Sequence, residues 1–160
     1  MRRRMSAPTV TRLAESDWRV FAALRLRALL DTLGTADQQY RQEIEFSASQ
    51  WRRRLRAHAQ FAMRIDDRLV GLIGAQRQSV TTVYLYSLWL EPDVRGRGLG
   101  HRLVTAAIDW ARSQRVREVT LRVEAANATA RGVYEELGFG VVEVSTGAPR
   151  DEITMSLKVG

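Results

Sequence analysis

The sequence predicts an α/β domain with a mixed, strongly twisted central sheet of about seven strands and helices on both faces. Branched or aromatic runs alternate with amphipathic stretches in the order β-α-α-β-β-β-α-β-α-β-β, which favours a mixed sheet with helices packed on it. The chain has 160 residues, the size of one ordinary domain. Apolar residues make up 45% of it and charged residues 27%, which is typical of a globular protein. We therefore expect one domain over residues 1–160, with residues 1–6 as a disordered tail.

Composition excludes several classes of protein. No apolar run approaches the ~20 residues that a membrane-spanning helix needs, and no apolar segment of a secretory signal follows the basic start of the chain. We therefore expect a cytoplasmic protein with no membrane partner. The absence of cysteine excludes disulfides, a thiolate nucleophile and Cys-ligated metals. The two histidines, His58 and His101, lack metal-ligand spacing, so no metal site is expected.

The formal net charge of +7 is concentrated near the start of the chain. Residues 1–60 hold twelve Arg and six acidic residues, a balance of +6, with basic runs at residues 2–4 and 52–56. An anionic partner such as nucleic acid is one interpretation. The other is a frayed tail and the solvated face of a helix. We favour the second, because neither a nucleic-acid-binding motif nor interleaved aromatic residues accompany the charge.

The first predicted elements are a strand and a helix. Residues 9–13 alternate branched and polar side chains, as a half-buried strand does. Ser16 or Asp17 is placed to cap the helix that follows. The buried face of this helix is predicted to consist of apolar residues at helical spacing: Phe21, Leu24, Ala28 and Leu29. The arginines are predicted to fall largely elsewhere on it: Arg19, Arg25 and Arg27.

A polar, irregular segment separates this helix from a second one. Residues 31–46, with Gly34 as a helix breaker, predict a loop or a short helical turn. Ser47 or Ser49 is placed to cap a helix that runs through about His58. The buried side of that helix is predicted to be the i, i+4 pair of Trp51 and Leu55.

A predicted hairpin comes next. Residues 61–65 and 69–75 are apolar runs on either side of an acidic pair at 66–67, which predicts two antiparallel strands joined by a tight turn. Gly71 and Gly74 interrupt the second strand and predict a bulge or a close backbone approach. The next segments predict a strand at 82–90 ended by Pro92 and a helix at 99–112 built on Leu103, Ala106, Ala107 and Trp110. A strand at 116–124 follows, and Asn127 is placed to cap a helix that runs to about Leu137 and is stopped by Gly138. Strands at 139–144 and 153–159 complete the prediction.

A glycine-rich turn within residues 88–100, between the fourth strand and the third helix, is the most informative segment. Successive backbone N–H groups at a helix N-terminus, together with the helix dipole, suit a bound phosphate, and glycine permits its close approach. The spacing G-x-G-x-G differs from the dinucleotide fingerprint, and the Gly-Lys-Ser/Thr end of a P-loop is absent. A plain strand-to-helix turn is the alternative interpretation.

Two motifs resemble, in order, those of the GNAT superfamily of N-acetyltransferases. Arg95-x-x-Gly98-x-Gly100 is similar to the family's pyrophosphate-binding motif, Q/R-x-x-G-x-G/A. The family's next block is a strand followed by Asn and a helix that leads through Tyr to L-G-F. It is matched by Leu121-Arg122-Val123, Asn127, Ala130, Tyr134 and Leu137-Gly138-Phe139. The resemblance covers about residues 60–158 well and residues 1–60 only in outline, and it implies a GNAT-like sheet.

The resemblance also implies which residues bind acetyl-CoA, the expected co-substrate. Strand backbone groups at Leu88, Trp89 and Leu90 would pair with the amide-rich pantetheine arm, as an added strand does. In the family a bulge on this strand aims an N–H at the thioester carbonyl, and Leu90 is the candidate donor. The N–H groups that would hold the pyrophosphate are those of Arg95, Gly96, Arg97, Gly98, Leu99, Gly100 and His101. The side chains of Arg95 and Arg97 would add charge, Asn127 would contact the pantetheine arm, and Ala130 would line the channel.

Tyr134 is the candidate catalytic residue on the same resemblance, and it is also expected to contact the cofactor. A thiolate leaves when an amine displaces CoA, and a phenol of pKa about 10 can protonate a sulfur whose thiol pKa is about 8.5. The alternative is that Tyr134 is one more apolar helix residue beside Val133 and Leu137.

The base that deprotonates the amine stays open. Some family members use a Glu on the fourth strand, and residues 82–90 contain no carboxylate. The remaining candidates are a water chain ordered by Tyr84, Tyr86 and Ser87, or Glu43 or Glu45 in the N-terminal loop. Weaker candidates are Glu91, His58 and His101.

The expected function is direct transfer of acetyl from acetyl-CoA to a primary amine in a ternary complex, without a covalent enzyme intermediate. A small-molecule acceptor is favoured over a protein N-terminus or lysine, and a non-catalytic acyl-CoA-binding sensor is the alternative of another class. Specificity for the amine is expected in the polar segments at 30–50 and 145–151. The acidic residues of the first, Asp37, Glu43 and Glu45, either attract a cationic amine or solvate a loop, and we favour the second interpretation. Dimerisation is common in the family, and the sequence leaves a homodimer open.

Overall fold

The computed structural model describes residues 7–147 and 150–160, so the tail predicted over residues 1–6 lies outside the described residues. The strands are β1 (Thr9–Arg12), β2 (Ala59–Ile65), β3 (Arg68–Arg77), β4 (Thr82–Leu90), β5 (Glu118–Glu124), β6 (Gly140–Ser145) and β7 (Glu152–Lys158). The α-helices are α1 (Trp18–Leu33), α2 (Gln38–Glu43), α3 (Ala48–Ala57), α4 (Leu99–Ser113) and α5 (Ala128–Glu136). Turns of 3-10 helix lie at Glu15–Asp17 and Pro92–Val94. None of the described helices is long and apolar enough to cross a membrane.

The strands form one mixed sheet in the order β1-β2-β3-β4-β5-β7-β6. Neighbouring strands are antiparallel except β4 and β5, which run parallel and are connected through α4. β7 inserts between β5 and β6, so β6 forms one edge of the sheet. This arrangement confirms the predicted α/β class and the mixed sheet of seven strands.

Helices cover both faces of the sheet, as predicted. One face packs against α4 and α5, and its buried cluster includes Val83, Leu85, Leu103, Val104, Val119 and Leu121. The other face packs against α1 and α3 around a smaller cluster that includes Phe21, Leu24, Trp51, Leu55, Leu72 and Trp89. β3 and β4 contribute buried residues to both clusters, so side chains at the centre of the sheet are held by packing on each side.

Helix α1 buries its predicted apolar face but differs from the prediction in two respects. Phe21, Leu24, Ala28 and Leu29 are buried as expected. Arg25 is buried as well, because a residue four after Phe21 and three before Ala28 lies on the same helical stripe. The predicted side-chain cap at Ser16 or Asp17 is wrong: the Asp17 carboxylate accepts the N–H of Ala14 at 2.8 Å and no helix N–H.

The polar segment at 31–46 contains the predicted short helical turn. α1 continues to Leu33 and ends at Gly34, whose φ of 85° lies in the left-handed region. α2 follows, and the Asp37 carboxylate caps it by accepting the N–H groups of Gln39 and Tyr40. Helix α3 is capped by Ser47, whose Oγ accepts the N–H of Gln50. The Gln50 Oε1 in turn accepts the N–H of Ser47, so the predicted serine cap is confirmed.

The two glycines of β3 stand where neighbouring side chains cross the strand. A Cβ at Gly74 would lie 2.5 Å from the ring of Tyr86, and a Cβ at Gly71 would lie 2.6 Å from the side chain of Leu90. The pairing of β3 with β4 also shifts register between Leu72 and Gly74. In that shift the extra residue belongs to β4, whereas β3 has its own extra residue, Val70, where its pairing with β2 shifts between Met63 and Arg64. β3 thus has a bulge next to Gly71 and close approaches at both glycines, as predicted.

Strands β4 and β5 separate halfway along their length. They pair only from Thr82–Leu85 to Glu118–Leu121; beyond that point β4 stays paired with β3, and β5 stays paired with β7. The separation opens the sheet towards the turn that enters α4.

Candidate active site

A cleft of about 830 Å³ lies where β4 and β5 separate. Its volume is within the usual range for sites that bind small molecules. The residues that line it on α1, β4, β5 and α5 include Thr32, Leu33, Tyr86, Ser87, Leu88, Arg122, Val123, Glu124, Asn127, Ala130 and Tyr134. Four of the residues predicted to bind the cofactor, Leu88, Asn127, Ala130 and Tyr134, are thus brought together.

The turn that enters α4 has the form that anion binding requires. Gly96 and Gly98 have φ values of 79° and 75°, and a Cβ on either would meet no atom within 4 Å, so the space in front of them is open. The N–H groups of Val94 and Arg95 close the preceding 3-10 turn, whereas residues 96–98 donate none of the turn hydrogen bonds found in the described part of the chain. The first turn of α4 adds further unpaired N–H groups. These groups and the helix dipole fit a phosphate.

The side chain of Arg95 is occupied within the protein and does not point into this open space. Its Nε donates to the carbonyl of Leu90 at 2.9 Å, and Nη2 donates to the carboxylate of Asp31 at 2.8 Å. The indole of Trp89 donates to the same carboxylate at 2.9 Å. The bonds from Trp89 and from Arg95 hold the pKa of Asp31 below its usual value. Arg95 therefore ties the last turn of α1 to the glycine turn, and its own N–H is used by the 3-10 turn.

Arg97 and His101 are placed differently from Arg95. The guanidinium of Arg97 is exposed and contacts only the carbonyl of Asp93, at 3.3 Å, among the residues that the structure describes. Its charge remains available at the turn. The His101 ring pairs with Glu136 of α5 at 2.9 Å, so its side chain is directed to that helix.

The bulge of β4 lies before Leu90, the residue whose N–H it was predicted to aim at the thioester. Ser87 and Leu88 stand opposite the single residue Ile73 of β3, and Ser87 has a φ of 57°. This backbone conformation costs a residue with a side chain about 1–3 kcal/mol. Arg25 Nη1 donates to Ser87 Oγ at 2.6 Å. Leu90, the predicted N–H donor, lies beyond the bulge, in regular register with Gly71.

A buried ion pair holds Arg25 against the bulge. Arg25 is 4% exposed and Glu43 is 2% exposed. The guanidinium meets the carboxylate twice, at 3.1 Å through Nε and at 3.3 Å through Nη2. Gln39 donates to Glu43 at 2.9 Å, and Arg54 lies 3.7 Å from it. The interpretation of Glu43 as a loop-solvating residue is therefore wrong. Its carboxylate contacts Arg25, Gln39 and Arg54, and Glu43 is not among the described residues that line the cleft.

Tyr86 makes a second polar contact on the same side of the sheet. Its hydroxyl accepts a hydrogen bond from Gln60 Nε2 at 2.7 Å, which leaves its proton for His58 Nδ1 at 2.5 Å. Burial raises the pKa of Tyr86. Burial, and then the charge of Arg54, lower the pKa of His58. Both groups are therefore neutral at pH 7.

Tyr134 lines the cleft while packing into the core. It is 7% exposed, and its ring meets Phe139 edge-on with centroids 5.8 Å apart. Burial raises its pKa to about 12, with a smaller contribution from Tyr84. Its hydroxyl has no hydrogen-bond partner within the part of the chain that the structure describes. Asn127 Oδ1 accepts the N–H of Ala130 at 3.1 Å, so the predicted cap of α5 is confirmed and the amide nitrogen is left for the cleft.

Sequence reasoning named Tyr86, Ser87, Glu43 and His58 as open candidates, but it missed their partners Arg25 and Gln60, as well as Asp31. The helical stripe that contains Arg25 was a usable signal, as was the glycine of β3 opposite Tyr86. Asp31 offered no such signal, because its partners lie far away in the chain. Within the described residues, His, Asp and Glu side chains form no group of three or more suited to a metal ion.

Known proteins resemble this chain in sequence and in fold. The mycothiol acetyltransferase of Beutenbergia cavernae is 38% identical over 79 residues, which are 49% of this chain and 27% of that protein. The chain thus spans about a quarter of the length of this curated relative.

Solved structures share the fold over nearly the whole chain. The GNAT-family acetyltransferase of Streptococcus pneumoniae has a TM-score of 0.80 at 19% identity, covering 96% of this chain and 100% of that one. The structure of yncA from Salmonella typhimurium, solved with acetyl-CoA, has a TM-score of 0.73 at 20% identity, with 96% and 94% covered. The sequence profile of the acetyltransferase (GNAT) family matches residues 21–139, and with most of the chain matched in this way, the protein belongs to the acetyltransferase (GNAT) family.

Proposed function

We propose that the protein is a single-domain N-acetyltransferase that moves the acetyl group of acetyl-CoA to a primary amine by direct attack in a ternary complex. The observation that carries this proposal is a glycine turn beside the cleft. Among the described residues the cleft lining includes none of the turn, but a Cβ at Gly100 would lie 4.0 Å from the side chain of Leu88, which borders the cleft. The turn offers unpaired N–H groups, and the cleft has a strand bulge on one wall and a buried phenol on the other. A neighbour of the same fold was solved with acetyl-CoA, which supports this choice of co-substrate.

In this proposal the backbone binds the co-substrate. The N–H groups of Gly96, Arg97, Gly98, Leu99, Gly100 and His101 hold the pyrophosphate, and the Arg97 side chain adds charge. Strand residues 88–90 pair with the pantetheine amides, while Asn127 and Ala130 face it from α5. The N–H that donates to the thioester carbonyl is that of Leu88 in place of Leu90, because Leu88 belongs to the bulge and borders the cleft.

Tyr134 is proposed to protonate the leaving thiolate. Its pKa of about 12 keeps the phenol protonated throughout the working pH range. The burial that raises this pKa also raises that of a thiol formed in the same cleft, so the two groups stay close enough in acidity for proton transfer.

The acceptor is proposed to be a small molecule. The cleft is bordered by Thr32 and Leu33 at the end of α1 and by the turn at residues 145–147, which leaves a site of limited size. A protein N-terminus or a lysine is the alternative acceptor. Mycothiol acetyltransferases match only about half of this chain, so their substrate is not transferred to it. A cytoplasmic location and a homodimer stay predictions.

Binding is tested by calorimetry with acetyl-CoA on the native protein, Gly98→Val and Gly140→Val. Gly98 needs a positive φ, so a β-branched residue there should distort the turn and abolish binding. Gly140 is the matched control, since it is an open position without a positive φ outside the cleft lining, and its variant should bind as the native protein does. Equal binding by all three proteins would remove the glycine turn from the site.

Catalysis is tested by CoA release from acetyl-CoA across a panel of amines. Tyr134→Phe should bind acetyl-CoA with native affinity and lose about 100-fold or more in kcat, the usual contribution of a general acid. Turnover equal to that of the native protein would remove Tyr134 from the mechanism. The alternative function is a non-catalytic sensor that binds acyl-CoA, and it is motivated by the absence of a carboxylate on β4. Tight CoA binding by the native protein with no turnover on any amine would favour it.

A further inference from the structure

We propose that Tyr86 and His58 form a proton relay that carries the proton of the acceptor amine out of the cleft to a second opening on the protein surface. The inference rests on the proposed acetyl transfer, which requires the amine to lose a proton, and the relay takes the place of the carboxylate that β4 lacks. Neither residue belongs to the two motifs shared with the family.

The relay exists because three residues lie in one row across the sheet. Gln60 of β2 pairs with Gly74 of β3, and Gly74 pairs with Tyr86 of β4. Any side chain at Gly74 would collide with the Tyr86 ring, since a Cβ would lie 2.5 Å from it. The phenol therefore crosses the backbone of β3 and reaches beyond it to Gln60 and to His58 at the end of α3.

Tyr86 and His58 border two different openings of the protein. Tyr86 lines the cleft, beside the bulge residue Ser87. His58 lines a separate opening of about 230 Å³ formed by the end of α3 and the residues before it, among them Phe46, Arg53 and Arg54. The hydrogen bond between Tyr86 and His58 thus connects the reaction site with the outer surface.

The charges around the pair favour a histidine that accepts a proton and releases it quickly. Arg54 lies on α3 beside His58, and Arg25 of α1 and Glu43 of α2 act on Tyr86 from the helices packed above it. Arg54 disfavours a lasting imidazolium, whereas the opposite charges of Arg25 and Glu43 act on Tyr86 and partly offset each other there. His58 is neutral at rest and presents Nδ1 as the acceptor of the Tyr86 proton.

The proposed step moves one proton and leaves the electron pair on nitrogen. The N–H bond of the ammonium breaks, and its proton passes along cleft water to Tyr86 Oη while the phenol's own proton passes to His58 Nδ1. The imidazolium then gives the proton on Nε2 to water in the outer opening. When the Tyr86–His58 bond opens, Nδ1 loses its proton to water and Nε2 takes one from water, so the resting tautomer returns with no net change in protons. The net change is one proton from the amine to bulk water, and the free amine attacks the thioester.

The test is the pH dependence of CoA release with the best acceptor amine, for the native protein, His58→Ala, His58→Asn and Tyr86→Phe. Each variant should lose about 100-fold in kcat at pH 7 and regain rate tenfold per pH unit towards the pKa of the free amine, because only pre-deprotonated amine then reacts. Asn keeps an acceptor for Tyr86 but cannot titrate, so His58→Asn separates proton transfer from folding. Binding of acetyl-CoA should be unchanged in all of them.

Added imidazole provides a second readout. It should restore rate to His58→Ala, where the outer opening has room for it, and leave Tyr86→Phe unrestored because the inner half of the relay is missing. Arg53→Ala is the matched control, since it enlarges the same opening without touching the Tyr86–His58 bond, and it should keep the native pH profile.

The relay would be overturned if the native protein turned over and the His58 and Tyr86 variants gave superimposable pH profiles. Imidazole rescue of both variants alike would also overturn it. A native protein that binds acetyl-CoA but acetylates no amine defeats the proposed function, and the relay falls with it. The two failures are therefore told apart by whether the native protein releases CoA.

Discussion

Arg25 shapes the acceptor side of the cleft through its bond to Ser87, the strained residue of β4. Because Arg25 and Glu43 are both almost fully buried, loss of the guanidinium leaves a carboxylate without its main partner. Arg25→Met is therefore expected to lower the free energy of unfolding by about 3–5 kcal/mol, measured by urea denaturation. It should also lower kcat, because the bulge loses the contact that holds it.

The double variant Arg25→Met, Glu43→Leu separates these two effects. It removes both charges of the pair, so most of the lost stability should return. Its kcat should stay low, since Ser87 still lacks the guanidinium. An Arg25→Met protein as stable as the native one would show that the ion pair does not hold the bulge.

Tyr134 is expected to make stability fall at alkaline pH. The folded protein keeps this phenol protonated to about pH 12, whereas the phenol of the unfolded chain ionises near pH 10. The stabilisation is therefore complete below pH 10 and is lost as pH rises towards 12. Between pH 9 and 11 the free energy of unfolding of the native protein should fall by about 1.3 kcal/mol relative to Tyr134→Phe. Parallel curves from urea denaturation at these pH values would contradict the burial of the phenol.

Among the elements, strand β3 depends on the absence of a side chain at Gly74. Gly74→Ala places a Cβ 2.5 Å from the Tyr86 ring, so the ring must leave Gln60 and His58. We expect a loss of about 1–3 kcal/mol in the free energy of unfolding, typical of overpacking, and lower activity. Gly132→Ala in α5 is the control, because no atom lies within 4 Å of its Cβ and alanine favours the helix by about 0.5–1 kcal/mol. The reverse order of stabilities, measured by thermal unfolding, would refute this account of β3.

Elements governed by neighbouring residues could be predicted from the sequence, and contacts across the sheet could not. The Ser47 cap of α3, the Asn127 cap of α5 and the glycine turn each depend on residues a few positions apart. By contrast, the partner of Arg25 is 18 residues away, and that of Tyr86 is 28 residues away. Such pairs form only once strand order and register are set, which local periodicity does not determine.

The role of the Arg95 side chain illustrates the same limit. Its place in the motif predicted a contact with phosphate, whereas its carboxylate partner, Asp31, is 64 residues earlier in the chain. The family motif conveys the backbone shape of the turn, because glycines with positive φ are a local requirement. It does not convey where a long side chain finds its counter-charge in the folded protein.

At the scale of the whole molecule, the cleft divides the sheet into β1–β4 and β5–β7, which are joined by four residue pairs and by α4. A ligand that contacts both walls should therefore stabilise the entire fold. Acetyl-CoA at 100 times its Kd should add about 2.7 kcal/mol to the free energy of unfolding, which raises Tm by about 5–10 °C in a domain of this size. Pantetheine at the same concentration lacks the pyrophosphate and should give little shift, as should acetyl-CoA with Gly98→Val. A shift of equal size with pantetheine, in differential scanning fluorimetry, would mean that the cleft walls alone bind the ligand and that the N–H groups of the α4 turn contribute nothing.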